Sequence, residues 1–240
     1  NLSMKNNTLV FTATFNESEN IKNFLNKTLD VKNIDILIVD DNSPDGTAKI
    51  IKDFQKNYQN IKLIVRNGKE GLDTAHKLAY KYAKEEGYTN LITMDADGTH
   101  DPKYFKQMIK KAYTNDYVIT SRFKKKDLIK DWPIERKIIT YLRHFFVKSF
   151  LGLSYDASGA YRCFLTKKIP LNLFFKSKNN DYAFFWEVTY LIKLQGFSIY
   201  EVPARLVYRK LGKSKMKLKH IIYSLFYLIK ILIERKILKN

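Results

Sequence analysis

Cysteine is almost missing from this chain of 240 residues. Cys163 stands alone, which excludes an internal disulfide and fits a reducing compartment. Histidine is scarce as well: His76, His100, His144 and His220 are scattered without cysteine partners, so no structural zinc site is expected. No apolar run approaches the roughly twenty residues that cross a bilayer. The candidate near the end, Ile221 to Ile229, is interrupted by Lys230. Acidic residues are the minority, 24 Asp and Glu against 43 Lys and Arg, a formal charge of +19. Such a surface seeks polyanions, whether nucleic acid, anionic lipid headgroups or phosphorylated substrates. There is no internal repeat and no low-complexity linker. Asn1 to Asn7 is polar and lacks a leader pattern, with Met4 the expected native start after extraneous Asn1 to Ser3.

Hydrophobic residues make up 45% of the chain and aromatics 14%, which argues for a folded core in one domain, or one domain with an extension. The most telling stretch is Leu91 to Pro102, LITMDADGTHDP. Its apolar run enters Asp95-Ala96-Asp97, Gly98 turns the chain, and Asp101-Pro102 suits a helix start. Two carboxylates at the end of a buried strand can hold a hard divalent cation on phosphate oxygens. The plainer alternative is a polar turn with Asp97 or Asp101 as an N-cap.

Further strands are expected over Leu9 to Thr14, Ile34 to Val39, Ile61 to Val65 and Tyr117 to Ser121. Helices are expected from a Ser18 cap to about Leu29, from the Asp40-to-Thr47 turn to about Tyr58, from Leu72 to Glu86, and from Pro102 to about Thr114. Alternating strands and helices predict a doubly wound, mostly parallel α/β sheet. Glu17, Asp40, Asp41, Asp95 and Asp97 then gather along its carboxyl edge.

ATFNESENI, VDDNSPDGT, RNGKEGLDTA, MDADGTHDPKYF, SGAYRCF and VPARLVYRKLGKSKM, in this order, resemble the inverting family 2 glycosyltransferases of glycosyltransferase-A fold. Within them they look most like the dolichol-phosphate mannose synthase group of polyprenyl-phosphate glycosyltransferases. The resemblance runs from about Leu9 to Met216. It implies a nucleoside pocket of Ala13, Phe15, Glu17, Val39 and Asp41 with Lys69 nearby, and Asp95, Ala96 and Asp97 on the donor diphosphate. It also implies Mg²⁺ or Mn²⁺ on Asp95 and Asp97, with Thr99 or water completing the coordination where the family often has Gln. Arg122, Arg209 and Lys215 would face the diphosphate, in a segment that also holds Lys213 and Ser214. Arg136 and Thr140 would grip an acceptor phosphate, with Ser158 and Arg162 near sugar and acceptor. Ala13-Thr14-Phe15 stands where the family usually has Pro-Thr-Tyr, which leaves the choice between GDP and UDP open.

The expected organisation is a catalytic domain over 1–216, including an acceptor loop and interfacial helix over 127–152, then an amphipathic membrane-associating helix over 217–240. On that helix Lys219, Tyr223, Tyr227, Lys230 and Glu234 are expected on one face and Ile222, Leu225, Ile229, Leu232 and Ile233 on the other. Glu187, on an expected helix from Asp181 to Leu194, is read as structural or sugar-orienting rather than as a base. The reaction implied is metal-dependent, inverting transfer of one sugar from a nucleotide diphosphate donor to a polyprenyl phosphate. The enzyme would lie peripherally on the cytoplasmic face of a membrane, with an anchoring subunit or a second copy as further partners. Transfer to a glycan hydroxyl is the alternative, and it demands a positioned Asp or Glu. A basic nucleic-acid-binding protein is the third reading, but no such module is visible.

Overall fold

The structure is a computed structural model that describes residues 6–209, 211 and 218–237. Its centre is a seven-stranded sheet built from β1 (Thr8–Thr14), β2 (Ile34–Asp40), β3 (Ile61–Val65), β4 (Asn90–Thr93), β5 (Tyr117–Ser121), β6 (Arg162–Leu165) and β7 (Ile199–Pro203). The order across the sheet is β3-β2-β1-β4-β6-β5-β7, and only β6 runs against its neighbours. This is the mostly parallel α/β sheet expected.

β1 and β2 carry apolar residues at consecutive positions because both faces of the sheet are covered. Their side chains alternate between two cores. Leu9, Phe11, Leu37 and Val39 pack with α3 (Leu72–Glu85) and α7 (Ala183–Leu194). Val10, Ile36 and Ile38 pack with α1 (Ser18–Leu29), α2 (Thr47–Gln55) and α4 (Phe105–Ala112). With the cores thus filled, the polar strand ends are what remain at the carboxyl edge.

Several expected boundaries shift for local reasons. Ser18 is not the cap of α1 but its first residue; Glu17 occupies the N-cap position. The turn after β2 satisfies the free amides instead, Asp45 accepting from the Ser18 N–H and Thr47 Oγ1 from the Glu17 N–H. Asp101 does cap the turn Pro102–Tyr104 that leads into α4, accepting from the Lys103 N–H. The last strand, β7, ends at Pro203, and Val207-Tyr208 beyond it run on as loop.

Two further helices pack beside α7. α5 (Ile134–Leu151) and α8 (Leu218–Ile237) pack together with α7 around Val147, Leu151, Trp186 and Leu228, and α6 (Leu171–Phe175) lies beside α3. The hydrogen bonds of α8 show which part of it docks on the protein. Tyr227 turns inward and donates to Glu187 at 2.7 Å, while Ser224 accepts from Trp186 Nε1 at 3.0 Å. With that mixed stripe docked, Ile222, Tyr223, Phe226, Ile229 and Ile233 are left exposed. Among the described residues, no helix is long and apolar enough to cross a membrane.

Candidate active site

The carboxyl ends of β1 and β4 open into a cavity of about 340 Å³, within the range of ligand pockets. Ala13, Glu17, Asp95, Ala96, Asp97 and Thr99 line its sheet edge, and Arg122, Arg136, Thr140 and Arg143 its opposite wall. Ser158 to Ala160, Tyr182 and the loop from Leu206 to Arg209 complete the enclosure. One cavity therefore holds eleven of the site residues expected from sequence, Ser158 included.

The Asp-x-Asp turn is held from three sides. Gly98 sits at φ 80°, a left-handed conformation that glycine adopts without strain, and brings Thr99 back onto Asp97. The Thr99 N–H and hydroxyl both donate to Asp97 Oδ1, the first at 3.0 Å. Thr99 thus orients the carboxylate. His100 accepts the Asp95 N–H through Nδ1 at 2.9 Å and stacks on Tyr161. Burial lowers His100 to about 4, Asp97 opposing and Arg122 assisting, so Nδ1 is free of a proton and able to accept. Sequence reasoning missed this histidine; its place five residues after Asp95, inside a tight turn, was the available signal.

Arg209 closes over the acidic edge. It donates to Glu17 Oε2 at 2.9 Å and lies 3.6 Å from Asp97 Oδ2. Glu17 also accepts from Asn20 at 2.8 Å, which fixes the carboxylate Arg209 meets. Lys213, Ser214 and Lys215, expected beside Arg209, lie outside the described residues, as does the expected start at Met4.

The remaining nucleoside-pocket candidates lie beyond the cavity lining. Lys69 Nζ stands 3.8 Å above the Phe15 ring. Asp41 is paired with Arg66, whose guanidinium also reaches Thr74. Burial raises the Asp41 carboxyl even against that pairing. The Val39 side chain is wholly buried in the sheet core and does not line the cavity. Asp40 ties its turn together, accepting from the Ser43 N–H and Thr14 hydroxyl.

On the opposite wall Arg122 is held by an acid that sequence reasoning did not assign. Asp156 accepts from the Arg122 N–H and Nε, each at 2.8 Å, and from Nη2; both side chains are buried. Burial alone would raise the Asp156 carboxyl, yet Arg122 outweighs it and keeps it below the usual range. Arg122 Nη2 also reaches Ser158 at 2.7 Å. The pair is distant in sequence, so only the fold reveals it. Among the described residues Arg162 forms no ion pair with a carboxylate. It donates to the carbonyls of Ala157 and Gly159, each at 2.6 Å, and so shapes the loop that lines the cavity. Glu187 is structural: it accepts from Ser177, the Lys178 and Asn179 amides and Tyr227, away from the cavity.

A mostly parallel α/β sheet with paired aspartates at its carboxyl edge defines the class as an α/β enzyme of glycosyltransferase-A type. The sequence profile of Glycosyl transferase family 2 matches residues 9–169, and the chain belongs to that family. It is a glycosyltransferase. It is 31% identical over 210 residues to an undecaprenyl-phosphate mannosyltransferase of Micrococcus luteus, covering 87% of this chain and 86% of the relative. It is 29% identical over 226 residues to a polyprenol monophosphomannose synthase of Mycolicibacterium smegmatis, covering 91% and 84% respectively. Among solved structures it resembles the mannosyltransferase PcManGT from Pyrobaculum calidifontis, in complex with GDP-Man and Mn²⁺. There the TM-score is 0.61 at 15% identity, over 95% of this chain and 65% of that one. GalNAc-T7 with UDP, GalNAc and Mn²⁺ matches at a TM-score of 0.58 and 13% identity, over 93% and 48%. These two likenesses show the fold.

Proposed function

We propose that this enzyme transfers mannose from GDP-mannose to a polyprenyl phosphate with inversion at the anomeric carbon. The observation that carries the reading is the division of the cavity. Among the described residues its lining carboxylates, Glu17, Asp95 and Asp97, all lie on the sheet edge, and the α5 wall presents Arg136, Thr140 and Arg143. A hydroxyl acceptor would need a carboxylate on that wall to take its proton. A phosphate oxygen is anionic already. It attacks the anomeric carbon directly as the bond from that carbon to the departing diphosphate breaks, and a single displacement inverts the centre.

The protein's task is to align two anions and stabilise the charge on the leaving group. Arg209, bridging Glu17 and Asp97, is placed to cover the diphosphate. Asp95 and Asp97 supply oxygen donors suited to Mg²⁺ or Mn²⁺, with substrate phosphate and water filling the remaining positions. Thr99 fits as the group that orients Asp97. Bound there, the cation would neutralise the diphosphate. The mannosyl relatives and the GDP-Man-bound neighbour support the choice of donor.

Membrane attachment belongs to the same reading. α5 leaves Ile138, Tyr141, Leu142 and Phe145 exposed, and α8 leaves Ile222, Phe226, Ile229 and Ile233 exposed. Apolar faces of this kind in a protein of charge +19 suit the headgroup region of an anionic leaflet, a peripheral position on the cytoplasmic face. The test offers labelled GDP- and UDP-sugars with Mg²⁺ or Mn²⁺ and undecaprenyl phosphate, then measures label in the organic phase. Transfer from GDP-mannose is expected. Transfer only to a glycan hydroxyl, or from no donor, overturns the reading.

A further inference from the structure

Arg143 lines the cavity wall but has been given no role of its own so far. It stands three residues after Thr140 and seven after Arg136, so all three side chains share one face of α5 and line the same cavity. Its Nε is fully enclosed and has no hydrogen-bond partner, which is costly for a guanidinium. The nearby carboxylate is already engaged: Asp156 receives Arg122 through both oxygens. Glu201, the next acid along, takes the Asp156 N–H and Lys124 Nζ. Burial, helped by Arg122 and Arg136, lowers Arg143 to about 10, with Asp156 opposing, so it stays charged at neutral pH.

A guanidinium enclosed beside other cations, without a carboxylate of its own, is organised for an anion that arrives from outside. The anion must carry enough charge to satisfy several arginines, and a phosphate monoester does so with geometry that matches a guanidinium. We propose that Arg143 is a further acceptor-binding residue, donating to the anionic oxygens of the polyprenyl phosphate together with Arg136 and Thr140. The proposal rests on the polyprenyl-phosphate reading above. Its place on α5, the helix that carries Arg136 and Thr140, and not on the strand end that carries Asp95 and Asp97, assigns it to the acceptor rather than to the donor diphosphate.

The test measures binding of a short-chain polyprenyl monophosphate and, separately, of GDP with Mn²⁺ to the wild-type protein and to Arg143→Gln and Arg143→Lys. Arg143→Gln is expected to weaken the monophosphate at least tenfold and leave GDP within twofold, which also reports that the variant is folded. Arg143→Lys is expected to recover part of the loss, and in turnover the KM for the lipid rises while that for the sugar nucleotide holds. Equal monophosphate binding by wild type and Arg143→Gln overturns this assignment alone. Weakened GDP binding in a folded variant moves Arg143 to the donor and also overturns it. A wild-type protein that binds GDP but no monophosphate overturns the polyprenyl-phosphate reading, and this assignment falls with it.

Discussion

The two walls of the cavity are built by opposite means. The wall proposed for the donor is the carboxyl edge of β1, β2 and β4, where neighbouring groups hold several acids: Thr99 holds Asp97, Asn20 holds Glu17, Ser43 holds Asp40. The wall proposed for the acceptor is α5, a helix that buries only Thr140, Val147 and Leu151 and leaves much of its apolar surface in the open. A nucleotide is small, polar and always similar, so a rigid polar edge suits it. A lipid phosphate offers one charged group on a long apolar chain, and a wall with an arginine-lined interior and an uncovered outer face suits that.

The comparison breaks first at Asp97. Asp97→Ala removes a donor-edge carboxylate whose ion pair is loose, 3.6 Å from an Arg209 that Glu17 also holds, so the fold should persist while transfer falls. The expected loss is about a thousandfold or more, about 4 kcal/mol in the barrier, with the melting temperature nearly unchanged. Chelation of divalent metal from the wild-type enzyme should mimic it. Full activity in the folded variant would remove the donor wall from the mechanism.

The acceptor wall should respond differently, because its key acid is internal. Asp156→Ala leaves the buried Arg122 without its partner, and breaking a pair of this kind costs about 3 to 5 kcal/mol. Chemical denaturation should show that loss, with activity falling along with the folded fraction. Asp97→Ala and Asp156→Ala therefore separate a wall made for chemistry at its surface from one whose chemistry depends on a buried prop.

The difference between the walls also explains how much could be read from sequence. β1 to β5 announce themselves as apolar runs that end in, or are followed within two residues by, Asp, Asn or Ser, so the sheet and its acidic edge were legible. β6 was not: it has four residues, opens with a buried arginine and runs against its neighbours between β4 and β5. Asp156 as the partner of Arg122, and His100 as the acceptor of the Asp95 N–H, depend on contacts in space. That the Val39 side chain packs in the core beside the pocket is likewise a fact of the fold. Periodicity separated the two faces of α8 without saying which residues dock on protein; the hydrogen bonds of Tyr227 and Trp186 show that.

That last point yields the prediction with the smallest effect on the folded protein. Phe226 and Ile229 are 65% and 52% exposed, whereas Leu228 between them is 3% exposed. Exchanging the outer pair for glutamate, Phe226→Glu with Ile229→Glu, removes no packing, so unfolding free energy should stay within about 1 kcal/mol of wild type. Sedimentation with anionic phospholipid vesicles should drop about tenfold or more, since each change removes apolar contact and adds repulsion from the headgroups. Leu228→Glu is the counterpart: it should destabilise the packing of α8 on α5 and α7 before any vesicle is added. Unchanged vesicle binding by the outer pair would mean that this exposed stripe meets something other than lipid, and the contrast between a donor wall closed by protein and an acceptor wall completed by membrane would have to be withdrawn.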